Sequence, residues 1–173
     1  HSGYLPEAFV ITTGTYSELT VARRQHYKKG TILVMDRGFI DFRWLGGLDQ
    51  EGVFFVTRIK TDTRYEVQQE AEVPAGKNIV SDQTIRLTSK QSCKRYPDPL
   101  RLVTIKTDKG ELLEFLTNNH KLAATTIADI YKDRWQIEIF FKLIKQNLHI
   151  KSFVGSSANA VWIQIWTAMI AMV

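Results

Sequence analysis

Cysteine is almost absent from this chain. Cys93 is the only one among 173 residues, so an intrachain disulfide and a cysteine-rich zinc site are both excluded. His26, His120 and His149 show no ligand spacing to one another or to Cys93, so they add no zinc pattern. No secretory signal is recognisable, and we expect a reducing compartment, the bacterial cytoplasm.

The sequence also lacks a clear membrane span. The apolar run AVWIQIWTAMIAMV is interrupted by Gln164 and preceded by Asn159, giving about 16 residues where about 20 are needed. We therefore expect a helix that is buried against missing parts of the protein, and no membrane partner. Because the sequence opens at His1 rather than Met and stops at Val173 inside this run, we expect a fragment of a longer protein.

Composition indicates a folded domain with a basic surface. The chain is 44% apolar and 24% charged, which is ordinary for a globular protein, and its net charge is +5. Between Thr84 and Lys109, seven lysines or arginines face only two aspartates. This excess favours an acidic partner, nucleic acid first, although a solvated basic surface or hairpin is the alternative.

The N-terminal part alternates between strand and helix patterns. This alternation predicts an α/β fold with a mostly parallel sheet. The predicted elements are a strand over Ala8–Thr13, a helix from Ser17 to about Tyr27, a strand over Thr31–Met35, a weak helix over Phe39–Leu48 that Gly46 and Gly47 fray, and a strand over Val53–Lys60.

The middle of the chain changes to short alternating segments separated by Pro and Gly turns, which predicts antiparallel strands and hairpins. Residues 61–119 are therefore interpreted as a β-rich insertion between residues 1–60 and 120–173, the two parts of the core. After Asn118, Thr126 with Asp129 predicts a cap for one helix through about Leu148. A last helix follows the break at residues 155–157.

One stripe of that helix carries an unusual set of side chains, at the spacing Y-x2-R-x3-E-x6-K. On an ideal helix Tyr131, Arg134, Glu138 and Lys145 fall at about 0°, 300°, 340° and 320°, and Lys142 at about 20°. The opposite side is apolar and includes positions such as Ile137, so we expect it to be buried. A single carboxylate flanked by cations is suited to holding a metal beside a polyanion.

Asp36 is the second candidate carboxylate. It ends the apolar strand TILVM, and α/β sheets present ligand-binding side chains at the carboxyl ends of strands. If Asp36 and Glu138 converge, they provide the oxygen ligands that Mg²⁺ prefers, and a metal pair supports in-line phosphoryl displacement. The alternative is that Asp36 only caps the following turn.

These segments resemble a known family. IADIYKDRWQIEIFFKLIKQNLHIKSFVGSSANAVWIQIW resembles the C-terminal catalytic helix region of bacterial insertion-sequence DDE transposases of the insertion sequence four family, which share the Tyr, Arg, Glu, Lys spacing. TILVMDRGFIDF resembles the segment of the second catalytic Asp, and GVFFVTRIK the following strand. The resemblance covers nearly the whole chain. It implies an RNase H-like fold, with a mixed sheet and flanking helices, interrupted by a β-rich insertion.

The resemblance also implies roles for individual residues. Asp36 and Glu138 would be two members of the metal-binding Asp-Asp-Glu triad, and Tyr131, Arg134 and Lys145 would bind DNA phosphates or the displaced strand. The first Asp of the triad has no counterpart in this sequence. We expect it immediately upstream of His1, and we expect the chain as given to be inactive or crippled.

Each DNA-binding candidate has a structural alternative. Arg134 lies four residues from Glu138, the spacing of a surface ion pair. Tyr131 and Trp135 either stack on unpaired bases or are aromatic residues at the edge of the core, and core packing is favoured for Trp135. Arg37 and Arg58 lie beside the expected site and resemble family positions that contact DNA, but basic residues at strand ends are often only solvated.

The function predicted from the sequence is that of a DNA transposase catalytic-domain fragment. It implies hydrolysis and strand transfer at transposon ends with two Mg²⁺ (or Mn²⁺) ions, terminal inverted repeats and target DNA as partners, and a dimer in the DNA complex. The expected location is the nucleoid. The alternatives are a catalytically inactive DNA-binding remnant and another RNase H-like nuclease.

Overall fold

A mixed β-sheet organises the larger of two units in this computed structural model. The structure describes residues 17–73, 78–139, 142 and 157–170. One unit is Ser17–Asp133, and the second includes residues from Arg134 onward; the two are described separately. The strand predicted over Ala8–Thr13 lies outside the described residues.

Six described strands form one sheet in the order β1-β2-β6-β5-β4-β3. Only β1 and β2 pair in parallel, and every other pair in this sheet is antiparallel. The expectation of a mostly parallel sheet is therefore wrong for the described strands, because the four strands after residue 61 join the same sheet as β1 and β2. The strands are β1 Ile32–Met35, β2 Phe54–Arg58, β3 Tyr65–Glu70, β4 Ile79–Leu87, β5 Leu100–Lys106 and β6 Leu112–Thr117.

The sheet is covered on both faces, as two successive residues of β2 show. Phe55 belongs to one buried cluster, and Val56 belongs to the other. A strand buried on both faces reads as a continuous apolar run, as VFFV does. The Phe55 face packs against helix α2 (Phe42–Gln50) and Tyr96, which follows helix α3 (Lys90–Arg95), whereas the Val56 face packs against helix α4 (Ala124–Asp133).

Helix α2 begins later and ends later than its sequence pattern predicted. Asp36 caps a 3-10 turn over Arg37–Phe39, and Asp41 then accepts from the Trp44 N–H to start α2. The helix continues through Gly46 and Gly47. At Gly46 a Cβ would lie 2.9 Å from the Arg95 carbonyl oxygen, so the glycine permits close packing of α2 against the end of α3.

Helix α1 (Glu18–Ala22) confirms the predicted Ser17 cap, since the Thr20 N–H donates to Ser17 Oγ, but it is shorter than expected. Helix α5 (Ala158–Ile170) confirms the predicted last helix, and Trp162, Ile163 and Trp166 on it are about half exposed. In the described ranges, no helix has both the length and the apolar character that a bilayer crossing requires.

The single long helix predicted through Leu148 is wrong within the described residues. Helix α4 ends at Asp133, Arg134 forms a turn, and residues 135–139 are helical again. The Ile137 N–H donates to the Arg134 carbonyl oxygen at 3.2 Å. This bond spans three residues, as in a 3-10 turn, rather than the four of an α-helix. Ile137, predicted on the buried side, is 56% exposed.

Candidate functional site

The carboxyl ends of β1 and β2 meet at one edge of the sheet, because the two strands are parallel. Met35 is in register with Thr57, so Asp36 and Arg58 each occupy the next position along their strands. Asp36 continues the alternation of Ile32 and Val34, which pack on the α4 face. The two predicted site residues Asp36 and Arg58 therefore share an edge and a face of the sheet.

Tyr131 lies above the same strand end. Its ring packs on Phe115 with centroids 4.7 Å apart, and Phe115 is the register partner of Arg58. The last turn of α4 thus reaches the edge where Asp36 lies. Tyr131 is only 3% exposed, which corresponds to the core-packing alternative; a DNA contact by its ring stays a prediction.

Asp36 makes the turn-capping interaction that the sequence left open. Its Oδ1 accepts from the Gly38 N–H at 2.9 Å, and the residue is exposed, as is Arg37 beside it. An ionised carboxylate offers about four acceptor positions on two oxygens, so a cap on Oδ1 leaves capacity for a cation. The cap and a metal-ligand role are compatible, and the cap fixes the direction of the carboxylate.

The second carboxylate belongs to the second unit. Arg134 Nη2 lies 2.9 Å from Glu138 Oε1, an ion pair at the i,i+4 spacing, and the Glu138 side chain is 47% exposed. The ion-pair alternative is therefore present. Trp135 is 57% exposed, so the favoured interpretation of it as a core residue is wrong within the described residues. Lys142 is exposed, and Lys145 lies outside the described residues.

Exposed carboxylates at Asp36 and Glu138 are oxygen ligands of the type that Mg²⁺ and Mn²⁺ prefer. Among the residues that the structure describes, no group of three or more His, Cys, Asp or Glu side chains forms a ready metal cluster.

Arg101 is a residue whose role the sequence did not reveal. It was counted with the basic segment, but it is 8% exposed and makes a bidentate ion pair with Asp82, at 2.7 and 2.6 Å. Its Nη1 donates to the carbonyl oxygens of Asn119 and Leu122. Arg101 therefore links the loop before α4 to the centre of the sheet. The sequence feature that could have indicated its burial is its place inside the apolar strand LRLVTI.

A second buried network fixes the opposite end of β2. Asn118 donates to Asp49 Oδ1 and to the Val53 carbonyl oxygen, and it accepts from the Phe55 N–H. Tyr96 donates to Asp49 Oδ2 at 2.5 Å. Burial, and then the Asp49 carboxylate, raise the pKa of the Tyr96 hydroxyl above its usual range. The sequence marked Asn118 only as a turn residue.

The described residues thus place a carboxylate at the end of a parallel strand pair, on a mixed α/β sheet that α4 and its Tyr131 cover. Residues 1–173 match the family model described as "Transposase DDE domain", and the chain belongs to this family. The resemblance seen in the sequence is confirmed.

Curated relatives agree with the family. The chain is 36% identical over 170 residues to "Putative transposase y4zB" of Sinorhizobium fredii, covering 96% of this chain and 48% of that protein. It is 31% identical over 175 residues to "Probable transposase for insertion sequence element IS5377" of Geobacillus stearothermophilus, covering 98% of this chain and 45% of that protein. The chain thus spans about half the length of these relatives.

Proposed function

We propose that this chain is part of the catalytic domain of a DNA transposase that hydrolyses and transfers strands at transposon ends. The observation that carries the proposal is the position of Asp36. It lies exposed at the carboxyl end of β1, on the sheet face and edge that Arg58 and the last turn of α4 also occupy. Membership of the transposase DDE domain family supports the same reaction class.

Asp36 and Glu138 are proposed to converge and hold two Mg²⁺ or Mn²⁺ ions. Bound ions of this kind activate the attacking oxygen and stabilise the leaving oxygen of a phosphodiester. Asp36 contributes a carboxylate that the Gly38 N–H already orients. Glu138 would contribute the other carboxylate, which at present forms the ion pair with Arg134.

The proposed DNA contacts follow from charge and position. Arg37 and Arg58 flank Asp36, and phosphate contacts there would hold the scissile strand in line with the carboxylate. On the other unit, the exposed ring of Trp135 is suited to stacking on an unpaired base. The remaining proposed contacts to DNA are Tyr131, Arg134, Lys142 and Lys145.

We also propose that residues 1–60 and 120–173 form an RNase H-like core and that residues 61–119 are a β-rich insertion in it. The mixed sheet with helices on both faces is compatible with an RNase H-like core. We further propose that residues 1–173 alone do not cleave DNA, because the first Asp of the triad has no counterpart in them.

We also propose that the partners are terminal inverted repeats and target DNA. The protein would form a dimer on DNA and be located at the nucleoid. The net charge of +5 supports an acidic partner. Synapsis of two element ends by one active site each requires two copies of the protein.

The test uses the full-length protein with labelled element ends, a target plasmid and Mg²⁺. Glu138→Gln is expected to abolish cleavage and leave DNA affinity within about twofold, because it removes a metal ligand and no phosphate contact. Glu111→Gln, which changes an exposed carboxylate in the turn before β6, is the matched control and should cleave normally. Cleavage by Glu138→Gln at the wild-type rate would refute the role.

The products separate the alternatives. Joined products between element ends and plasmid are expected of a transposase. Cleavage without joining would indicate another nuclease, and DNA binding without cleavage by the full-length wild type would indicate an inactive remnant.

A further inference from the structure

Helix α3 presents one exposed basic side. Lys90, Lys94 and Arg95 are exposed, whereas Ser92 and Cys93 are half-buried. On an ideal helix the three cations fall within about 140° of one another, and the half-buried pair lies on the remaining side. The helix contains no acidic residue. These three cations therefore point away from the sheet without an opposite charge on their own helix.

The helix that carries these cations is held firmly. Its N-terminus is capped by Ser89, whose Oγ accepts from the Ser92 N–H at 3.1 Å. At its C-terminus, Tyr96 is 1% exposed, packs edge-on against Phe55 and donates to Asp49 of α2. Cations on a fixed helix lose less conformational entropy on binding a ligand than cations on a mobile loop.

Helix α2 adds a further cation beside α3. Arg43 is exposed and lies one turn before Gly46, the residue that packs against the Arg95 carbonyl oxygen. We define the α2–α3 basic surface as Arg43, Lys90, Lys94 and Arg95.

Asp41, at the N-cap of α2, offsets part of the charge of one member of this surface, Arg95, because the two charges interact. Asp49 is engaged by Tyr96 and Asn118, and Asp41 is ion-paired with Arg23 at 2.9 Å. Burial alone would raise the pKa of Asp41, but the Trp44 N–H and the charges of Arg23 and Arg95 lower it overall. The Asp41 carboxylate is thus already compensated within the protein.

Helix stabilisation does not account for the whole surface. Lys94 and Arg95 lie in the last turn, where cations interact favourably with the helix dipole by about 0.3–1 kcal/mol. Lys90 is the first residue of α3, where the same dipole disfavours a cation. The helix dipole therefore does not account for Lys90.

We propose that the α2–α3 basic surface binds the phosphate backbone of double-stranded DNA. It lies on the sheet face opposite to α4, so it contacts a stretch of DNA distinct from the one at Asp36 and Arg58. Lysine is a point charge that positions a phosphate without reading bases, so the binding is independent of sequence. This inference deepens the proposed function, since it takes its partner from it.

The test is a salt titration of DNA binding by the full-length protein. Lys90→Gln with Lys94→Gln removes two phosphate contacts, so the slope of log affinity against log salt should fall by about 1.8. Wild type should then lose roughly tenfold more affinity than the double variant between 50 and 200 mM salt. The variant's melting temperature should change little, because both side chains are exposed and the helix dipole acts with opposite sign on Lys90 and Lys94.

The matched control is Lys106→Gln with Lys109→Gln. It removes the same charge from exposed lysines at the far end of β5, roughly 20 Å from α3 along the strand. Its slope should stay at the wild-type value. Equal slope changes in both double variants, or none in either, would overturn the proposal. If the α3 variant fails to fold, Arg43→Gln provides the second test, with an expected slope change of about 0.9.

Two further outcomes are informative. Loss of binding to phosphatidylserine vesicles by the α3 variant, with an unchanged DNA slope, would assign the surface to anionic lipid and overturn the proposal. Failure of the proposed function can be told apart from failure of this proposal. The wild type would then bind DNA with a salt slope that depends on Lys90 and Lys94, but it would not cleave the DNA.

Discussion

Arg101→Met offers a quantitative test of how the loop before α4 is held. The Arg101 and Asp82 side chains are 10% and 12% exposed. The substitution removes two N–H donors to Asp82 and the donor to the Asn119 and Leu122 carbonyl oxygens, and it leaves a buried carboxylate without its cation.

Removing one partner of a buried ion pair costs about 3–5 kcal/mol. For a chain of this size each kcal/mol shifts the melting temperature by about 2–4 °C, so Arg101→Met should melt about 6–20 °C below wild type. Calorimetry or urea unfolding measures this directly. Arg86→Met, an exposed arginine on neighbouring β4, is the control and should stay within about 0.5 kcal/mol of wild type.

The double variant Arg101→Met, Asp82→Leu separates charge burial from packing. Replacing both partners by apolar residues removes the buried charge, so the double variant should be more stable than Arg101→Met by about 2 kcal/mol. Arg101→Met within about 1 kcal/mol of wild type, or a double variant no better than the single one, would refute the reasoning.

The remaining predictions concern single carboxylates and one lysine. Asp36→Asn should abolish metal-dependent cleavage and leave the melting temperature nearly unchanged, because an amide oxygen still accepts from the Gly38 N–H, whereas Asp36→Ala should also cost about 1 kcal/mol. Lys145→Ala should lower the salt slope of DNA binding by about one, and an unchanged slope would count against a phosphate contact. Asp41 has a lowered pKa, so its ionised form stabilises the fold above the usual value of 3.8 and this contribution disappears as the pH falls through the lower folded-state pKa. Asp41→Asn should therefore be less stable than wild type by up to about 1 kcal/mol near pH 7, and a gap that persisted at pH 2 would contradict the ion-pair explanation.

Local signals predicted local structure well. Ser17 correctly predicted the start of α1, and the apolar runs before Asp36 and after Gly52 form β1 and β2 as expected. Both features depend only on neighbouring residues, namely a side chain that caps backbone N–H groups and a strand buried on two faces.

Pairing between distant segments could not be predicted in the same way. Arg101 looked like a surface cation because its partner Asp82 is 19 residues away, on the neighbouring strand. The register of β4 and β5 brings them together, and composition does not encode that register.

The turn at Arg134 was also hidden. No Pro or Gly occurs between Ala124 and Ile139, so the sequence gives no local reason for the helix to end at Asp133. The helical-wheel stripe therefore grouped Tyr131 with Glu138, whereas the structure assigns them to different units.

The most direct test of the account is the location of Mn²⁺ in a crystal of the full-length protein bound to an element end. The account predicts anomalous density within about 2.0–2.3 Å of carboxylate oxygens from both Asp36 and Glu138. Mn²⁺ bound elsewhere, with these two carboxylates in separate parts of the molecule, would contradict it.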